Sequence, residues 1–222
     1  MTLDLFVDTS RKGISMALGQ AAQGDTAPLY IETVDESARG ETASAILDEL
    51  LNRAKATLDD IKRVMVTVGP GSFSGLRTGV AFCQGLCFSG KRELYGVSTL
   101  QALECFGLSD SADVENVAVI IRARPGYWYL RQTINGCAEE SFIETAEVVK
   151  RIKSASTLKA IVTDGAATAD ETLKNLFEEL GVSVIQDEGK PLSMWTPLFA
   201  SVKSSLIQEA NYIQPSYFEK LK

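Results

Sequence analysis

The sequence contains no histidine. That absence removes Ser-His-Asp and Cys-His nucleophilic pairs, His-ligated zinc and a histidine pH switch. Its four cysteines (Cys83, Cys87, Cys105 and Cys137) make no C-x-x-C pair, so free thiols in a reducing cytoplasm are expected. A cationic surplus is also missing. Lys plus Arg is 22 against 29 for Asp plus Glu, a net charge of −7, which weighs against the chain gripping phosphate backbones by itself. No apolar run approaches the roughly 20 residues that span a bilayer. The first residues, Met1–Asp8, carry two acids and no basic segment, unlike a signal peptide. The expectation is a cytoplasmic chain with no membrane contact, no metal and no cofactor.

What is present reads as an ordinary globule: 222 residues, 45% hydrophobic and 23% charged, enough for one or two compact domains. Alternation and β-branched runs predict strands at Leu3–Val7, Ile14–Leu18 and Leu29–Val34, then a polar loop over Ser37–Gly40. A helix from Glu41 carries Ala43, Ile46, Leu47, Leu50, Leu51 and Ala54 at helical spacing. A strand at Lys62–Val68, a helix over Leu76–Phe88 and a strand at Leu94–Val97 close the first half. After a linking helix (Ser98–Phe106) the order returns. Strands are expected at Val117–Ile121, Tyr127–Thr133 and near Ser141–Ile143. They are followed by a helix (Ala146–Ile152), a strand (Ala160–Thr163), a helix (Thr168–Leu180), a strand (Val182–Ile185) and a last helix (Pro197–Glu209). Both halves thus run strand, strand, strand, helix, strand, helix, an order that implies duplication.

Three places invite chemistry. The turn Gly69-Pro70-Gly71-Ser72-Phe73-Ser74-Gly75 links a strand to a helix. Pro then Gly suits a type II turn with positive φ at Gly71, and Ser72 or Ser74 is placed to cap the helix. Such a turn is either an anion site, with Gly71 and Ser72 at its mouth, or only a tight connection. It has no Gly-Lys-Ser/Thr, and Pro70 donates no N–H, so it is not a P-loop. Asp8-Thr9-Ser10 ends the first strand. Its carboxylate reads as a holder of magnesium–phosphate through water or as an Asx turn neutralised by Arg11 and Lys12. Asp164-Gly165-Ala166-Ala167-Thr168 holds the matching place in the second half, as a nucleotide contact or as a plain turn with a Thr168 cap. Cys83 and Cys87 share a helix face but lack further ligands, and read as core.

The helix after the glycine turn carries one apolar stripe of Leu76, Val80, Cys83 and Cys87 and another of Gly75, Gly79, Phe82 and Leu86. Only Arg77, Thr78 and Gln84 are clearly polar. A helix apolar nearly all round must bury more than one face. Two readings stand: a central internal helix, or a partner surface shared with the preceding helix.

Asp8-Thr9-Ser10 followed by Ser15-Met16-Ala17-Leu18, the block from Val68 to Ala81, and Gly96-Val97-Ser98-Thr99-Leu100 together resemble the bacterial TsaB (YeaZ) family. The similarity covers the whole chain in element order and is most specific in the first hundred residues. It implies an α/β, duplicated actin-like or Hsp70-like fold of two βββαβα-type halves, residues 1–100 and 101–222. It also implies a place in the complex that installs N6-threonylcarbamoyladenosine in tRNA. There a TsaD-like subunit transfers the threonylcarbamoyl group and a TsaE-like ATPase joins through the complex. The TsaB-like subunit is the non-catalytic partner that binds and stabilises TsaD, forms a homodimer when alone and meets tRNA only indirectly. By position the docking helices are about Thr42–Ala54 and Leu76–Phe88. The implied partner-binding residues are Ile46, Leu47, Leu50, Gly75, Thr78, Gly79, Phe82 and Leu86. Asp8, Gly71, Ser72, Asp164 and Gly165 are where a nucleotide would sit.

Departures from the family pattern alter charge: Arg11 and Lys12 in place of Thr and Glu, and Arg39 where many relatives have histidine. In the second half Arg122-Ala123-Arg124 replaces Asp-Ala-Arg, and Pro215-Ser216-Tyr217-Phe218-Glu219 replaces Pro-x-Tyr-x-Arg. They weigh against ATP binding by this chain. The alternative to a docking subunit is an ATP-dependent small-molecule kinase or ATPase of the same fold, with Asp8 and Asp164 as its carboxylates. A peptidase is the weakest reading, since no serine or cysteine is paired with a base.

Overall fold

β1 (Leu3–Asp8) is buried at every position, because it is the middle strand of a five-stranded sheet. β2 (Ile14–Gly19) pairs with it antiparallel and β4 (Ile61–Gly69) parallel, so that Val7 lies between Met16 and Val66. β3 (Tyr30–Asp35) and β5 (Glu93–Ser98) complete the order β3-β2-β1-β4-β5. The computed structural model describes residues 2–20, 30–35, 42–108, 116–134, 136–155, 157–188 and 191–213. The expected loop Ser37–Gly40 with Arg39, and the Pro215–Glu219 motif, lie outside them.

Two helices cover one face of this sheet: α1 (Ala43–Ala54) over β2 and β3, and α2 (Phe73–Cys87) over β4 and β5. Ile46, Leu47 and Leu50 of α1 share a single apolar cluster with Leu5, Val7, Met16, Val64, Val66, Val80 and Cys83. On the other face Phe6 and Tyr95 meet Phe199 at ring-centroid distances of 5.6 and 4.9 Å. The Arg63 guanidinium lies 4.0 Å over the same ring. The register places Asp4 opposite Arg63, and the two carboxylate oxygens of Asp4 accept from Arg63 Nε and Nη2 at 2.7 and 2.6 Å. This pairing offsets the desolvation of a buried carboxylate.

The second sheet is built the same way. β6 (Val117–Arg124), β7 (Tyr127–Ile134) and β8 (Cys137–Glu144) form an antiparallel meander, and β9 (Ala160–Thr163) and β10 (Ser183–Gln186) add in parallel, giving β10-β9-β6-β7-β8. Read from β8, this is the order of the first sheet. α4 (Thr145–Ser154), α5 (Gly165–Ala169) and α6 (Glu171–Leu180) lie on it, with Trp128, Leu130, Val148, Ile161, Leu176 and Phe177 in the core. α3 (Thr99–Leu108) precedes β6.

Three expectations are corrected. The predicted helix over Thr168–Leu180 is two helices, because the Asp170 carboxylate accepts from the Thr172 and Leu173 N–H groups and starts a new one. Thr168 is not a cap: it lies inside α5 and donates to the Gly165 carbonyl. The predicted helix over Pro197–Glu209 is only α7 (Leu198–Ser201); beyond it the chain is drawn out, with Ser205 N–H bonded to Leu94 O and Asn211 N–H to Val68 O. The same bonds explain a change of boundary. Pro191–Tyr212 belongs with residues up to Thr99 in one compact unit, while Leu100–Lys190 forms the other, so residues 101–222 are not a single half.

Candidate functional site

The glycine turn is clamped onto the end of β1. Ser72 N–H donates to Ser10 O at 2.6 Å, and a Cβ on Gly71 would run into that same carbonyl. Close approach is therefore what requires glycine here. The type II turn is not formed: Gly71 is extended, at φ 159°, and the Gly69–Pro70 peptide is cis. The Ser72 hydroxyl accepts from Gly75 N–H at 3.3 Å and caps α2, which begins at Phe73 rather than Leu76.

Asp8 is spent on the same junction. One carboxylate oxygen accepts from Ser10 N–H (2.9 Å) and the Thr67 hydroxyl (2.8 Å), and the other faces Arg11 at 3.4 Å. It is an Asx turn with its charge balanced at home. Beside it the Thr9 and Ser10 hydroxyl oxygens are buried without a hydrogen-bond partner among the described residues. In the second unit Asp164 accepts from Ala167 N–H (3.0 Å) and Arg122 N–H (2.9 Å), as cap and strand tie together. The space beside Gly165 is bounded by Glu188, whose carboxylate oxygen lies 3.6 Å from where a Cβ would stand, an unfavourable setting for phosphate. Among the described residues no group of three or more Cys, Asp or Glu is placed to hold a metal ion. Burial pushes the Cys87 thiol up to about 11 and Cys83 well above its ordinary value, so both stay protonated and apolar.

α2 carries three parallel stripes, each stepping by four and three residues. Leu76, Val80, Cys83 and Cys87 are buried against the sheet. Gly75 and Gly79 close on Thr9: a Cβ at Gly75 would meet the Thr9 carbonyl, and one at Gly79 the Thr9 side chain. Phe82 and Leu86 continue that line, half-buried at the margin of the core. The third stripe, Ser74, Thr78, Ala81, Gly85 and Phe88, faces outward. Thr78 is half-buried, the other four are exposed, Phe88 at 80%, and a Cβ on Gly85 would meet nothing within 4 Å.

This placement corrects most of the expected partner-binding set. Ile46, Leu47 and Leu50 are buried because α1 uses its apolar stripe to cover β2 and β3, leaving Ala45, Asp48, Glu49 and Asn52 outside. Gly75 and Gly79 are occupied by Thr9. Thr78 lies on the open stripe, with Phe82 and Leu86 at its edge. Ser74, Ala81, Gly85 and Phe88 are the exposed residues of that stripe, on α2 and its end, that lie outside the expected set; their four-three spacing is the same as that of the two inward stripes.

A family model described as TsaD, tRNA N6-adenosine threonylcarbamoyltransferase, matches residues 37–213. The tRNA threonylcarbamoyladenosine biosynthesis protein TsaB of Buchnera aphidicola subsp. Schizaphis graminum is 30% identical over 171 residues, covering 72% of this chain and 78% of that protein. This chain belongs to the TsaB family. A tRNA N6-adenosine threonylcarbamoyltransferase of Clostridium perfringens is also 30% identical, over 90 residues, 40% of the TsaB-family chain and 26% of that enzyme. The match thus spans about a quarter of the transferase. Among solved structures, YeaZ from Pseudomonas aeruginosa aligns over 98% of this chain and all of that one, with TM-score 0.62 and 23% identity. A second structure, described as similar to peptidase YeaZ from Pseudomonas aeruginosa, aligns over 96% with TM-score 0.66 and 21% identity. These likenesses show the fold, the duplicated actin-like α/β architecture. Among the described residues no helix is long and apolar enough to cross a membrane.

Proposed function

We propose that this TsaB-family chain is the non-catalytic partner of a TsaD-type transferase in tRNA threonylcarbamoyladenosine synthesis, working in the cytoplasm. It holds that subunit through the outward stripe of α2. The observation that carries the reading is the open line Ser74–Thr78–Ala81–Gly85–Phe88. Four-three spacing makes a straight seam for a second helix, and small residues at 81 and 85 let helix axes approach to about 8 Å. Phe88 at one end supplies the large apolar area that dominates interface energetics. The polar outer face of α1 makes a rim. In the absence of the transferase the same seam is free to pair two copies, and a TsaE-like ATPase and tRNA join through the complex.

The engagement of Asp8 and Asp164 by internal donors supports a role without phosphate chemistry. The kinase or ATPase reading keeps one observation in its favour, the unpartnered Thr9 and Ser10 hydroxyls. ATP turnover by the purified chain, lost in Asp8→Ala, would establish it instead. The test of the main reading is co-purification of the tagged chain with the TsaD-type protein of its own organism, followed by nucleoside analysis of tRNA after depletion. Stable co-elution and a fall in threonylcarbamoyladenosine are expected. Separate elution with unchanged modification contradicts the proposal.

A further inference from the structure

We infer that Tyr212, at the end of the chain Ser205–Tyr212, completes with Phe73 and Arg77 of α2 a charged aromatic anchor on the docking face, and that this anchor takes a carboxylate of the transferase subunit. The inference rests on the docking reading above and names the chemistry of one of its parts. Ser205 and Asn211 are tied by backbone bonds of 2.8 and 2.6 Å to Leu94 and Val68, and Gln84 of α2 donates to Gln208 O at 3.1 Å. These ties fix Tyr212 beside the start of α2, where its ring stacks on Phe73 at 4.7 Å and 27°. The Arg77 guanidinium lies 5.5 Å from the Phe73 ring centroid.

Two features point to a partner. Phe73 and Tyr212 remain 58% and 44% exposed although their rings are stacked on each other. A rigid, exposed aromatic pair loses little side-chain entropy on binding and is the kind of group that anchors an interface. Arg77 is exposed, and among the described residues no carboxylate pairs with it. Every other arginine on this unit's described surface has a carboxylate within 4.0 Å: Arg11 with Asp8, Arg53 with Glu49, Arg63 with Asp4, and Arg92 with Asp59. Arg77 follows Ser74 by three residues, so this patch is continuous with the seam on α2. A guanidinium backed by a ring, with no carboxylate partner among the described residues, calls for an acidic, planar acceptor, which a carboxylate supplies bidentately.

The experiment is a titration of the TsaD-type subunit into the full chain and into Arg77→Glu, Arg77→Lys, Tyr212→Ala and the seam variant Gly85→Arg, at two salt concentrations. Arg77→Glu and Tyr212→Ala are each expected to weaken binding by about tenfold or more, with Arg77→Lys between them and the parent. The parent is expected to lose affinity with salt more steeply than Arg77→Glu. If Gly85→Arg abolishes binding while the Arg77 and Tyr212 variants bind like the parent, the anchor is wrong and the docking reading stands. If all four bind like the parent, the docking reading itself fails. If the Arg77 and Tyr212 variants alter only the self-association of the chain, seen by sedimentation, the patch serves a second copy and the proposal is overturned. All these positions are exposed, so unchanged melting temperatures are expected and serve as the folding control.

Discussion

The two sheets share one strand order, yet the units diverge after the fourth strand of each. In the first unit β4 runs into α2, a helix of 15 residues whose outer stripe carries no charge and is mostly small, closed by the large Phe88. In the second, β9 runs into α5, of five residues, and then α6, of ten, broken at Asp170. The outer face of α6 is Glu171, Lys174, Asn175, Glu178 and Glu179, a solvated surface. Duplication has preserved hydrogen-bonding topology, which the buried backbone enforces, while the exposed helix faces have been free to diverge. The seam proposed for docking therefore belongs to one unit and has no counterpart in the other.

The sharpest way to break that comparison is at the junction that fixes the orientation of α2. Gly79→Arg places a side chain inside Thr9, and we expect it to destabilise the first unit by about 3 kcal/mol, visible as a lower urea midpoint with loss of soluble protein. A melting curve like the parent's would show that the Gly75–Gly79 stripe is not held against Thr9. The caps come next. Asp164 is part-buried and accepts two backbone N–H bonds, whereas Ser72 is exposed and accepts one long one. Asp164→Ala is expected to cost about 1–2 kcal/mol and Ser72→Ala about 0.5 kcal/mol, measured by the same unfolding.

The smallest expected effect concerns buried charge. The first unit sets Asp4 against Arg63, with no second acid in the pair. The second sets Glu104, 4% exposed, against an Arg131 shared with Glu140. Burial raises the Glu104 carboxyl above its ordinary value of 4.5, against the lowering pull of Arg131. A raised folded value means that the folded state binds the proton more tightly. The stability this gives is complete below the unfolded value and is lost as pH rises through the folded one. Glu104→Gln is expected to flatten that decline in urea midpoints collected between about pH 4 and 8. A variant whose midpoints keep the parent's slope would assign the decline to other groups.

Much of this was legible in the residues. β1, β2, β4, β6, β7 and β9 are runs of β-branched and apolar residues bounded by polar turns, and period alone finds them. α1 is equally plain, since its single apolar stripe has one place to go. α2 was not. Three stripes with the same spacing run along it, and only tertiary contacts, Thr9 against Gly79 and the sheet against Leu76, decide which one is left outside. Asp170 was hidden because an aspartate inside an amphipathic run reads as surface until its carboxylate is seen to cap. The segment after Ser201 carries helix-compatible residues but spends its backbone on β4 and β5, long-range pairings that local propensity does not report.

The central claim is that the outward stripe of α2 receives the transferase. Calorimetric titration of the TsaD-type subunit into the parent chain and into Gly85→Arg tests it most directly, because a Cβ at exposed position 85 meets nothing within 4 Å. Saturable binding by the parent, and none by a variant that melts at the parent's temperature, is the expected result. Equal affinities for the two chains would contradict the account.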